Sequence, residues 1–228
     1  MYGWIIAIVV VLVAGIVWMS RGPKDSAVLR EKYLLSLTDY LEGRKEPLEG
    51  FNNSYRITFS HEGFEFNFED IEDAGIRTTF YKGFLTVKSR SRLSLTFTEK
   101  EAATFRTKAK TIKDLSSGWG MDSVLVHLPP ELKRFGVYTN DPPRAGKLVA
   151  DSRVTGILAD CSNEDKFGHP LMSMEIIDGM LILRFHPPGI LKPTLYDLRH
   201  NVTTIDPFLD DMAYIVKKLN AIEAEMTS

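Results

Sequence analysis

Cysteine is nearly missing from this chain. Its 228 residues hold one, Cys161, so no internal disulfide forms. That agrees with a reducing compartment. Cys161 lies near a helix end and is followed by Ser-Asn; a nucleophilic role would need a His and an orienting group beside it in the fold, and none is assigned. The five histidines are His61, His127, His169, His186 and His200. None falls in H-x-H, H-E-x-x-H or H-x-x-x-H spacing, so no metal site is signalled. Neither G-x-x-x-x-G-K-[ST] nor G-x-G-x-x-G occurs, and with them goes any visible phosphate cradle. The stretch Ser117-Gly118-Trp119-Gly120 is not a nucleophile elbow. Two carboxylate pairs, Glu69-Asp70 and Asp210-Asp211, are adjacent in sequence and so point apart. No catalytic, cofactor-binding or metal-ligating residue is assigned, and no cofactor is expected. Net charge is small, at −2, which argues against nucleic acid as a partner.

Charge is also absent from Tyr2 to Met19, a run of apolar residues with Trp4 and Trp18 near its ends. About 18 helical residues span about 27 Å, close to a bilayer core of about 30 Å. A cleaved signal peptide would need a basic start and a small-residue cleavage site. Neither is present, so residues 1–20 read as a retained single-pass transmembrane anchor in contact with membrane lipids through residues 2–19. The bases that follow, Arg21, Lys24, Arg30 and Lys32, favour the inside. The expected location is the cell inner (cytoplasmic) membrane, with the N-terminus outside and the C-terminal domain cytoplasmic. The anchor carries no His, Cys, Asp or Glu, and hence no side chain for haem, chlorophyll or a proton relay.

Further along, charge is segregated. His61 to Asp73 holds six acids and no Lys or Arg, whereas Lys82 to Lys113 holds nine bases against Glu99 and Glu101. Such a basic 82–113 segment could lie on anionic headgroups, at about 1 kcal/mol per charge. The plainer reading is a solvated face paired with the acidic stretch.

The remainder predicts an α+β domain of antiparallel strands with flanking helices. Residues 21–47 read as a stalk helix and linker, with the helix from about Asp25 to Glu42 either standing as a stalk or packing on the domain. Residues 48–128 read as a strand-rich subdomain. Tyr55, Ile57 and Phe59 alternate with polar residues, as do Phe64, Phe66 and Phe68 across the His61-Glu62-Gly63 turn. Further strands are expected at Ile76 to Tyr81, at Phe84 to Val87 after a Lys82-Gly83 turn, and at Leu93 to Thr98, forming a five-strand meander. Residues 129–228 read as an α+β subdomain. It has a strand at Phe135 to Thr139, helices from Arg144 and Ser152, and a hairpin around Asp178-Gly179. A closing helix opens at Pro207, with Phe208, Leu209, Met212, Ile215, Val216, Leu219 and Ile222 as its apolar stripe. Trp119 between glycines and the proline-bearing 187–206 loop are candidate contacts for integral membrane protein partners.

The stretch Phe135-Gly136-Val137-Tyr138-Thr139-Asn140-Asp141-Pro142, then Ala145 and Leu148, then Ser173 to Leu181, carries a resemblance. It resembles the C-terminal half of a family of bacterial membrane-anchored proteins of unknown function. There a similar strand-Asp-Pro-helix unit follows transmembrane segments. The resemblance covers about the last hundred residues. It implies a membrane-tethered α+β domain and no activity. Taken together, these features point to a non-catalytic accessory or scaffold subunit of a larger membrane complex, with a respiratory or photosynthetic assembly as a natural host. Alternatives are a lipid-surface module using residues 82–113, or a peripheral enzyme whose active site leaves no motif.

Overall fold

A computed structural model describes residues 28, 30–74, 79–99, 123–124, 127–160, 172–185 and 201–227. Helix α1 covers 30–40. Strands β1 (Arg44–Pro47), β2 (Tyr55–His61), β3 (Phe64–Ala74), β4 (Thr79–Lys88), β5 (Leu95–Glu99) and β6 (Ser123–Val124) follow. Then come β7 (Phe135–Thr139), α2 (Pro142–Val149), α3 (Ser152–Asp160), β8 (Met172–Ile177), β9 (Met180–Phe185) and α4 (Asp206–Thr227). The nine strands form one antiparallel sheet in the order β1-β2-β3-β4-β9-β8-β5-β7-β6. The α+β class is as expected. The transmembrane helix in that expectation is corrected. Among the described residues no helix is long and apolar enough to cross a membrane. The longest of them, α4, has 22 residues but carries Asp206, Asp210, Asp211, Lys217, Lys218, Glu223 and Glu225. Residues 1–20, where the anchor was placed, lie outside the described residues.

Local pattern explains most of the strands. In β2 and β3 the residues Ile57, Phe59, Phe66 and Phe68 are buried, while their neighbours in sequence are not. Register sets Phe59 opposite Phe66, and their rings stack at 5.7 Å. The turn between them has positive φ at Glu62 and Gly63, the backbone that a two-residue hairpin needs. One local reading differs. Lys82-Gly83 is not a turn, because β4 runs straight through it. Gly83 is buried and lies in register between Asp70 and Phe185. The meander also stops at β4. The β8–β9 hairpin inserts between β4 and β5, so strands from 48–128 and 129–228 interleave.

Burial alternates along β2, β3, β9 and β8, so one sheet face is buried and holds the core. Tyr33, Leu34 and Leu37 of α1 pack there, with Tyr33 edge-on to Phe68. From α4 come Leu209, Met212, Ile215, Val216, Leu219 and Ile222, the stripe expected from sequence. Phe208 meets Phe185 edge-on at 5.5 Å. Each fully buried Leu or Ile of this layer contributes about 1.5–3 kcal/mol before entropic costs. Helix α1 is therefore packed on the domain. Arg30 fixes its start, donating to buried Asp70 at 2.9 Å and to the Asn53 carbonyl at 2.7 Å.

The crossover from β4 to β5 is a serine-rich joint. Ser89 donates through both N–H and Oγ to the Gly179 carbonyl, each at 2.9 Å. Gly179 N–H returns to the Leu93 carbonyl at 2.9 Å. Ser91 Oγ donates to Glu223 of α4, and Ser94 N–H donates to Asn140 Oδ1. Asp141 then caps α2 by accepting from the Arg144 N–H, and Arg144 reaches Glu223 at 3.0 Å.

Asp151 caps α3 in the same manner, accepting from Val154 N–H at 3.1 Å, Tyr214 Oη at 3.1 Å and Lys218 Nζ at 3.2 Å. Burial pushes this carboxyl up, but the Val154 N–H, Lys218 and Tyr214 together hold it below the ordinary value of 3.8. A depressed carboxyl stabilises the fold above its unfolded pKa, and that contribution is lost as pH falls through the folded value. Stability is thus expected to decline below about pH 4. Asparagine still caps, so Asp151→Asn should lose no more than about 1 kcal/mol at neutral pH and flatten part of the acid decline. Urea midpoints across that pH range check this. An acid decline as steep as in the parent chain would contradict it.

Candidate binding groove on the open face of the sheet

The sheet face opposite the core carries the alternate residues of the same strands. In register across β2, β3, β4, β9 and β8 lie Arg56, Glu69, Phe84, Arg184 and Ser173, followed by Thr58, Asn67, Thr86, Ile182 and Glu175. Arg56 donates to Glu69 Oε1 from Nη2 at 2.7 Å and from Nε at 2.9 Å. Arg184 donates to Glu175, and its guanidinium lies 5.7 Å from the Phe84 ring centre. These pairs keep long charged side chains flat along the face.

Beside them stands the loop joining β1 to β2, which presents Phe51. Its backbone reverses through positive φ at Gly50 and Asn53. Leu48 N–H donates to the Ser54 carbonyl at 2.8 Å, and Ser54 Oγ accepts from the Glu72 N–H at 2.9 Å. The Asn53 carbonyl takes the Arg30 bond. So tied, the loop holds Phe51 outward, 51% exposed. Two adjoining hollows meet at Phe51 and Ile71. One, of about 710 Å³, is lined by Glu46, Pro47, Leu48, Glu49, Arg56 and Glu69 as well. The other, of about 260 Å³, adds Glu72, Lys82 and Phe84. Together they form a groove that crosses four strands. At about 4.8 Å per strand it runs roughly 14 Å, the length of four or five extended residues. Its floor is apolar (Pro47, Leu48, Phe51, Ile71, Phe84). Its lining charges are four carboxylates, Arg56 and Lys82, and outside the lining Arg44 pairs with Glu46 and Arg30 with Glu72. Strand addition at the nearby sheet edge is disfavoured, since β1 is four residues long and ends in Pro47.

A third hollow, of about 390 Å³, sits where α1, β2 and α4 meet. Tyr40 Oη donates to Asp206 at 2.6 Å, and His61 Nε2 lies 2.9 Å from Asp210 Oδ1. The bond to Asp206 holds the Tyr40 hydroxyl above its ordinary pKa. Burial raises the Asp211 carboxyl. Ser60 also lines this hollow, but consecutive strand residues point to opposite faces, so Ser60 is not set up as a nucleophile for His61.

Several residues singled out from sequence fall outside the described ones: the 2–19 run, Lys100 to Lys113, Trp119, Cys161, His169, His186, His200 and 187–200 of the loop. The loop's described end is orderly, with Asn201 Oδ1 accepting from the Thr203 N–H at 3.1 Å. From the basic segment, Lys82 lines the groove, whereas Lys88 is six residues further along β4, about 20 Å away. Arg90 and Arg92 are exposed in the serine joint, so the four described bases do not form one compact patch. Asp70 turns inward to Arg30 while Glu69 turns outward to Arg56. Asp210 likewise meets His61 while Asp211 meets Arg153. Among the described residues no group of three or more His, Cys, Asp or Glu side chains could hold a metal ion.

The groove residues Phe51, Ile71 and Phe84 went unread in the sequence. The available signal was an aromatic set among turn formers, Glu49-Gly50-Phe51-Asn52-Asn53, and an apolar residue at the polar parity of β3. No family model, curated protein or solved structure matches the chain.

Proposed function

We propose that this domain is a non-catalytic binding module, an accessory or scaffold subunit that docks a partner protein on the open face of its sheet. The observation that carries the reading is Phe51. Held half-exposed by a hydrogen-bonded loop, Phe51 does not stand alone but joins Leu48, Ile71 and Phe84 in one contiguous apolar patch. It is what an interface anchor requires, since a rigid aromatic loses little entropy on docking. Glu69 and Glu72 are already paired, with Arg56 and Arg30, so a partner can cover these two carboxylates without stranding them. The test is the size of the full chain in a mild extract from its source, run beside Phe51→Ala: the parent chain travels in an assembly and the variant falls out of it.

A further inference from the structure

We propose that the groove takes an extended, basic segment of a partner protein, one in which lysine or arginine alternates with apolar residues. The inference rests on the binding-module reading and names the partner's chemistry. Charge complementarity carries it. Glu46, Glu49, Glu69 and Glu72 surround the floor formed by Leu48, Phe51, Ile71 and Phe84. Three of them are already paired: Glu69 with Arg56 at 2.7 Å, Glu46 with Arg44 at 3.4 Å and Arg56 at 4.0 Å, and Glu72 with Arg30 at 3.5 Å. Glu49 is exposed and makes no ion pair among the described residues. An incoming cation therefore meets the uncommitted Glu49 carboxylate at the rim, while an incoming acid meets Arg44, Arg56 and Arg30 already engaged by glutamates. The groove lies across the strands rather than along an edge, so it selects side chains and not a backbone ladder. In an extended segment, alternate residues face opposite ways. Apolar residues can then enter the Phe51–Ile71–Phe84 floor while an intervening base turns to Glu49 at the rim.

The experiment uses the full chain and fluorescein-labelled heptapeptides, one alternating lysine with leucine and one alternating glutamate with leucine, read by anisotropy. The lysine peptide is expected to bind at least tenfold tighter than the glutamate peptide, and to weaken as salt rises. Phe51→Ala should weaken it at least tenfold. Glu49→Lys should narrow the preference between the peptides at least threefold. Both positions are exposed, and an unchanged melting temperature shows that each variant is folded. Equal binding of both peptides, lost in Phe51→Ala, overturns the basic-segment inference while leaving the binding module standing. Binding of either peptide that ignores Phe51 overturns the groove and the module reading with it. Binding to phosphatidylglycerol vesicles that depends on Phe51, with none to the lysine peptide, overturns the proposal in favour of a lipid surface.

Discussion

Gly179→Ala is expected to destabilise the domain by about 3–4 kcal/mol, a large share of the 5–15 kcal/mol that domains typically have. Two terms contribute. Gly179 sits at φ +74°, where an L residue with a Cβ loses about 1–2 kcal/mol. A Cβ added there would also stand 1.9 Å from the Ser91 carbonyl oxygen. That oxygen is backbone and cannot rotate away as a side chain would. The loop bearing it is held by Ser89, Leu93 and Glu223, so relief means breaking the serine joint and parting β9 from its crossover. Overpacking of this kind costs about 1–3 kcal/mol. Gly63 provides the control. Its φ is similar, at +82°, but nothing lies within 4 Å of its added Cβ. Gly63→Ala should thus show the conformational term alone, about 1–2 kcal/mol. Urea unfolding of both variants reads the difference, and equal losses would contradict the account of the joint.

Removing Arg30 has an expected effect at least as large. Asp70 is fully buried, and Arg30 Nε donates to its Oδ2. The same guanidinium holds the Asn53 carbonyl and lies 3.5 Å from Glu72. Arg30→Ala is expected to lose about 3–5 kcal/mol, mainly because a carboxylate is left buried without its cation. Replacing both partners with apolar residues, Arg30→Met with Asp70→Leu, should recover most of that loss. Urea midpoints of the single and double variants check both statements. A single variant within about 1 kcal/mol of the parent would mean that the pair is solvated and does not clamp α1 to the sheet. The pair also bears on the groove, because Arg30 holds the Asn53 carbonyl in the loop that presents Phe51. Arg30→Ala should therefore loosen that loop as well.

Much of the architecture was legible because it is local. Period-two runs defined β2 and β3, Asp178-Gly179 marked the β8–β9 hairpin, and the 3.6-residue stripe from Leu209 to Ile222 marked α4. What sequence left hidden is non-local. Nothing near Met180 says that β9 pairs with β4 across some ninety residues, so a continuing meander was the natural reading. Gly83 looked like a turn because glycine favours turns. Only the register shows that it sits mid-strand, paired with Asp70 on one side and Phe185 on the other. The transmembrane expectation came from hydropathy at residues 2–19. The long helix that is described, α4, is amphipathic and charged, and packs on the sheet. The groove was missed for a related reason. Phe51, Ile71 and Phe84 are far apart in the chain, and only the pairing of β3 with β4 beside the Leu48–Ser54 loop brings them together.

The measurement that bears most directly on the binding-module proposal is the native size of the full chain. Mild extraction from its source, sizing and mass spectrometry of co-migrating proteins would be applied to the parent chain and to Phe51→Ala. The parent is predicted to run in an assembly of fixed stoichiometry, and the variant, at an unchanged melting temperature, to run alone. A parent chain that runs by itself, or a variant that stays in the assembly, would contradict the claim that the open face of the sheet is where a partner docks.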